Sequence, residues 1–113
     1  MPSWDLFYQF IVLLGRGIPS GQVDDATFHG CVLELATKLK DRFGGVTKVK
    51  ILQAHGDTAT WSTEESLLVV CLTPAQENAG AVVEEETSHA RATLKQDEVW
   101  VTRHDVLLHK SKS

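Results

Sequence analysis

Residues 54–65, AHGDTATWSTEE, gather the side chains best suited to chemistry: His55, Asp57 and Trp61, followed by Glu64 and Glu65. A histidine and a carboxylate two residues apart can act as an acid–base pair or supply two ligands to a metal. The same residues also suit a turn, with Asp57 capping its own loop and His55 facing solvent. A second set is Tyr8, Trp100 and His104. An imidazole beside aromatic rings orients a small-molecule ligand where the three line one enclosed cavity. Alternatively, His104 is a surface histidine on an edge strand.

Other reactive motifs are missing. His29, His89 and His109 have no ligand-type partner at helical spacing, so neither a metal nor another cofactor is expected. GRGIPSG (15–21) has glycines but no following Lys-Ser/Thr to cradle a phosphate; Arg16 within it could meet a carboxylate or phosphate. Cys31 and Cys71 lie in apolar runs without metal spacing and read as reduced core thiols of a cytoplasmic protein. A net charge of -4 lacks the basic footprint of a nucleic-acid binder. The apolar run at 10–14 is too short for a membrane span, and no basic segment precedes it as in a signal peptide.

The elements that must hold these residues follow from periodicity. WDLFYQFIVLL (4–14) is apolar in both alternating sets: Leu6, Tyr8, Phe10, Val12 and Leu14 against Phe7, Ile11 and Leu13, with Gln9 breaking the second. A strand of that kind needs cover on both faces. After the 15–21 loop, Asp24 or Asp25 caps a helix with apolar positions Phe28, Val32, Leu35, Leu39 and Phe43, stopped at Gly44-Gly45. VTKVKILQA (46–54) alternates lysines with Val49 and Ile51, as an edge strand does, and SLLVVCL (66–72) is a central strand. Thr73-Pro74-Ala75-Gln76 reads as a capping box opening a helix over about 74–95, with Glu84, Glu85 and Glu86 on its solvated face. DEVWVTRHDV (97–106) is the last strand, with Trp100, Thr102 and His104 on one face, and 107–113 is a tail.

This order predicts one α+β domain over residues 1–113, with its core at about 4–106. It is a ferredoxin-like βαββαβ with a four-stranded antiparallel sheet in order 4-1-3-2 and two helices on one face. Residues 54–65 then connect neighbouring strands as a long hairpin, anchored by Trp61.

The stretches LLGRGIPSGQVDDATFHGC, DRFGGVTKVKILQAHGDTATW, ESLLVVCLTP and QDEVWV together resemble a family of small bacterial proteins of unknown function, over about residues 6–105. The topology is also similar to dimeric α+β barrel proteins. The resemblance implies a fold and no established activity, so no catalytic residue is carried over. Two functions are expected to compete. One is a non-enzymatic binding or ancillary module, homodimeric through its sheet. The other is a small monooxygenase- or isomerase-like enzyme with a cavity between sheet and partner chain, lined by Tyr8, Trp100 and His104. Neither nucleic acid nor membrane is expected as a partner.

Overall fold

The alternation of apolar residues near the N-terminus produces β1 (Asp5–Gly15), the longest strand in the computed structural model, which describes residues 3–18, 21–53 and 66–111. There follow β2 (Gly17–Ile18), β3 (Gly21–Gln22), α1 (Asp25–Phe43), β4 (Lys48–Gln53), β5 (Ser66–Pro74), α2 (Ala79–Thr93) and β6 (Trp100–Leu108). Four strands form one antiparallel sheet in order β4-β5-β1-β6, rather than the expected 4-1-3-2 of a four-stranded chain. The described residues form six strands because β2 and β3 pair into a separate two-stranded ribbon within the glycine-rich stretch read as a loop. The doubly apolar β1 and β5 are the central pair, and β4 and β6 are the edges.

One face of the sheet carries the core. Phe10, Val12 and Leu14 from β1 join Val69 and Cys71 from β5 against Phe28, Val32, Leu35 and Leu39 of α1 and Ala79, Val83 and Ala90 of α2. α1 begins where Asp24 accepts from the amide of Thr27 at 3.0 Å and from its hydroxyl at 2.8 Å. It ends where Gly44, at φ 61°, donates to the carbonyl of Lys40. That positive φ is open to glycine at little steric cost.

Three expectations need correction. The Thr73–Gln76 segment does not open a helix. Thr73 and Pro74 continue β5, paired with Tyr8 and Phe7, and Ala75 donates to the carbonyl of Leu6 at 3.1 Å. Sheet pairing outweighs the local capping signal, and α2 starts at Ala79 without a side-chain cap. Glu86 is not solvated but 6% exposed, because it falls on the buried stripe of α2 with Ala79, Val82, Val83 and Ala90. Finally, β6 runs from Trp100 to Leu108, so Leu107 and Leu108, expected in the tail, pair with β1, while residues 97–99 precede the strand.

Candidate functional site

In an antiparallel sheet, paired residues point to the same face and successive residues to opposite faces. The register therefore fixes the composition of the face away from the helices. One row crosses it as Leu52, Leu68, Leu13 and Trp100; the next as Lys50, Val70, Ile11 and Thr102; the third as Lys48, Leu72, Gln9 and His104. Leu13 is 38% exposed, Leu52 46% and Trp100 64%. Leu68, Val70, Leu72 and Ile11 are each half-buried. The face is thus an apolar platform that ends in a polar row, with the β4 lysines along one margin. Phe7, between its register partners Pro74 and Val106, is buried at the end beyond the polar row.

Trp100 and His104 stand on this platform's β6 margin, about 13 Å apart along the strand at about 3.3 Å per residue. The Trp100 indole N–H donates to Glu98 Oε1 at 3.2 Å. Gln9 is the Cα partner of His104. An indole face beside Leu13, with Thr102, Gln9 and His104 as polar groups, can stack a flat ring and hydrogen-bond its substituents.

Tyr8 does not join them. It pairs with Thr73 and Asp105, which places it on the helix side, packed against the core with its ring edge-on to Phe10 at 6.2 Å. The guanidinium of Arg103 lies over the Tyr8 ring at 4.5 Å and its Nε is 3.1 Å from Asp105 Oδ1. One cavity cannot be lined by all three residues, because the sheet itself separates Tyr8 from the other two. His55, Asp57 and Trp61 lie outside the described residues.

Arg16 serves the fold. Its guanidinium pairs with Asp25, donates through Nε to the carbonyl of Val23 at 3.0 Å and lies 5.8 Å from the Phe28 ring centroid. Cys31 and Cys71 are free and buried. Burial pushes the Cys31 thiol up, with a smaller push from Glu34, and burial raises Cys71 to about 11 against a weaker opposing effect of Lys40. Neither is a ready nucleophile, since the thiolate is the reactive form.

A shallow groove between α1 and α2 brings Cys31, Glu34, Lys38, Glu86 and His89 together. Glu86 there faces His89 Nδ1 at 3.5 Å and Arg42 Nη1 at 3.7 Å. The Arg42–Glu86 contact joins α1 to α2, and the His89–Glu86 contact lies within α2. Among the described residues, no three His, Cys, Asp or Glu side chains come together to hold a metal ion, and no helix is long and apolar enough to cross a membrane.

Leu52, Leu68 and Val70, which build half of the platform, were not singled out as site residues in the sequence. The signal was present: β5 is apolar in both alternating sets, as β1 is, and both sets need cover.

No protein-family model matches the chain, and no curated protein matches it in sequence. Solved structures resemble it in fold. A phage SAM lyase in complex with S-methyl-5'-thioadenosine gives a TM-score of 0.59 over 92% of this chain and 90% of that one, at 11% identity. CPII from Thiomonas intermedia K12, a nitrogen regulatory PII-like protein, gives 0.55 in its apo form, over 98% of this chain and 100% of that one, at 13% identity. The same protein bound to ADP, AMP and acetate gives 0.51 over 95% and 92%, at 14% identity. The de novo designed protein Foldit4 gives 0.58 over 88% and 94%, at 12% identity. At these identities the likeness is one of fold.

Proposed function

We propose that this chain is a small, non-enzymatic binding module of ferredoxin-like βαββαβ topology, with the β2–β3 ribbon as an insertion after the first strand. It assembles as a homodimer through the helix-free face of its sheet. The observation that carries the reading is the apolar row Leu52, Leu68, Leu13 and Trp100, backed by Val70 and Ile11, on a face that no described helix covers. Leaving such side chains in water forgoes roughly 1.5–3 kcal/mol each relative to full burial. Four strands about 4.8 Å apart, from six residues in β4 to eleven in β1 at about 3.3 Å each, span on the order of 550 Å² before side-chain relief. Stable interfaces bury about 800 Å² per partner, so the face is of the right size. A two-fold axis sets the same patch against itself and covers both copies at once.

Where the two faces meet, Trp100, Thr102, Gln9 and His104 line the place for a small ligand. Two of the proteins with a similar fold hold adenine-bearing molecules, so ADP, AMP and S-methyl-5'-thioadenosine are the first probes. The two free thiols fit a reducing cytoplasm.

The test has two arms. Light scattering at micromolar concentration is expected to give a particle of at least two chains, against 12.5 kDa for one. Titration with each adenine compound, followed by tryptophan fluorescence, is expected to give a saturable change that Trp100→Leu abolishes. A 12.5 kDa particle contradicts the assembly. Three flat titrations contradict adenine as the ligand, and conversion of any of the three compounds contradicts the non-enzymatic reading.

A further inference from the structure

β6 is the last strand of the sheet, so the hydrogen-bonding groups along its outer side have no neighbouring strand among the described residues. Nine residues is long for such an edge. Long edges are normally blunted by proline, lysine, a bulge or a covering element, because they template pairing with another chain. β4, the opposite edge, follows that rule with Lys48 and Lys50. β6 has neither proline nor lysine, pairs with β1 without interruption from Trp100 to Leu108, and has no buried residue.

We propose that β6 pairs antiparallel with β6 of a second copy, about a two-fold axis at His104, so that two sheets become one of eight strands. The occupant is a second copy because the strand is self-complementary in one register. Hydrogen-bonded and non-hydrogen-bonded pairs alternate in an antiparallel ladder, so a regular two-fold pairing must centre on a single residue. With the axis at His104, Arg103 faces the partner's Asp105, and Asp105 faces the partner's Arg103. Val101 faces the partner's Leu107, and Trp100 faces the partner's Leu108. Val101, Leu107 and Trp100 are 37%, 64% and 64% exposed in the single chain, so the register covers the apolar groups that β6 leaves open. Centring one residue earlier sets Arg103 against itself, and one residue later sets Asp105 against itself. Like charges directly opposed are destabilising.

This surface is distinct from the helix-free face. Copies joined by both form a particle of four chains, two eight-stranded sheets packed face to face.

The test is carried out with Leu13→Lys in every chain, which removes association through the helix-free face and isolates the edge. Arg103→Asp and Asp105→Arg are made separately. Both side chains are about half exposed, so the fold tolerates the changes. Each variant alone sets like charges across the two-fold and is expected to be monomeric in native mass spectrometry. Mixed, the chain with two arginines meets the chain with two aspartates, and a one-to-one hetero-pair is expected. The double variant Arg103→Asp/Asp105→Arg keeps the charge pair within its own strand with reversed polarity. It is expected to pair with itself but to form no mixed pair with the parent. Three results overturn the proposal: a monomeric parent, a mixture that does not associate, or free exchange between double variant and parent. If a single variant fails to fold, the exchange experiment decides alone.

Discussion

Thr47 Oγ1 and Thr73 Oγ1 lie 2.7 Å apart in a hydrogen bond between two buried hydroxyls, at the end of the seam between β4 and β5. The same corner is held by Lys40, whose ammonium donates to the carbonyls of Gly45, at 3.2 Å, and Thr47. Thr73 therefore fixes where the edge strand enters the sheet, instead of starting a helix. Replacing either threonine by valine leaves a buried hydroxyl without its partner, at a cost of about 1–3 kcal/mol. The double variant is expected to lose less than the sum of the two single changes. Urea unfolding of all four proteins measures the coupling, and strict additivity would remove the hydrogen bond from the account of this corner.

Arg42 is expected to matter through Glu86 and not through Glu85. Its Nη1 lies 3.1 Å from the exposed Glu85 carboxylate and 3.7 Å from that of Glu86, which is 6% exposed. Arg42→Ala leaves a buried carboxylate with His89 and the more distant Lys38 as its remaining neighbours among the described basic residues, and is expected to cost about 1–2 kcal/mol. Glu85→Ala acts at the surface and is expected to stay within about 0.5 kcal/mol. Equal effects in chemical denaturation would show that the buried carboxylate does not depend on the arginine.

Cys71 links stability to alkaline pH. Its pKa rises from an ordinary 9.0 to about 11 on folding, because burial disfavours the thiolate. A group raised on folding contributes its full stabilisation below the unfolded value and loses it as pH climbs through the folded one. The window is thus pH 9.0 to about 11. The loss across it is at most about 3 kcal/mol, and Cys31, also raised, adds in the same direction. Cys71→Val is expected to flatten the decline between pH 8 and pH 11 relative to the parent. Parallel declines would contradict the assignment. Both thiols are expected to react slowly with a bulky reagent at neutral pH, and to react at once in urea.

How much of this was legible in the sequence depended on whether a feature was local. The apolar alternation of β1, the cap at Asp24 and the stop at Gly44 each arise from neighbours in the chain, and each was readable. Even the buried Glu86 was readable in position, since it lies seven residues after Ala79 and four before Ala90 on the helical stripe; its charge argued the other way. The phase between strands was not readable. Tyr8 and Trp100 each carry a ring in an alternating strand, but whether they share a face depends on the β1–β6 register, and a shift of one residue would have placed both on the same face. The Thr-Pro-Ala-Gln signal misled because its local preference competes with a ladder formed with residues far away in the chain. The β2–β3 ribbon was hidden because glycine-rich turns and two-residue strands share one composition.

Assembly through the helix-free face is tested most directly by Leu13→Lys. Leu13 sits on the central strand within the apolar row and is 38% exposed, so a lysine there can reach solvent in the single chain but is trapped between two faces in the dimer. The measurement is the mass of parent and variant by light scattering at the same micromolar concentration, with circular dichroism confirming that both are folded. The expected result is a parent of at least two chains and a variant of half the parent mass. A parent of 12.5 kDa, or a folded variant with unchanged mass, would contradict the claim that a second copy covers this face.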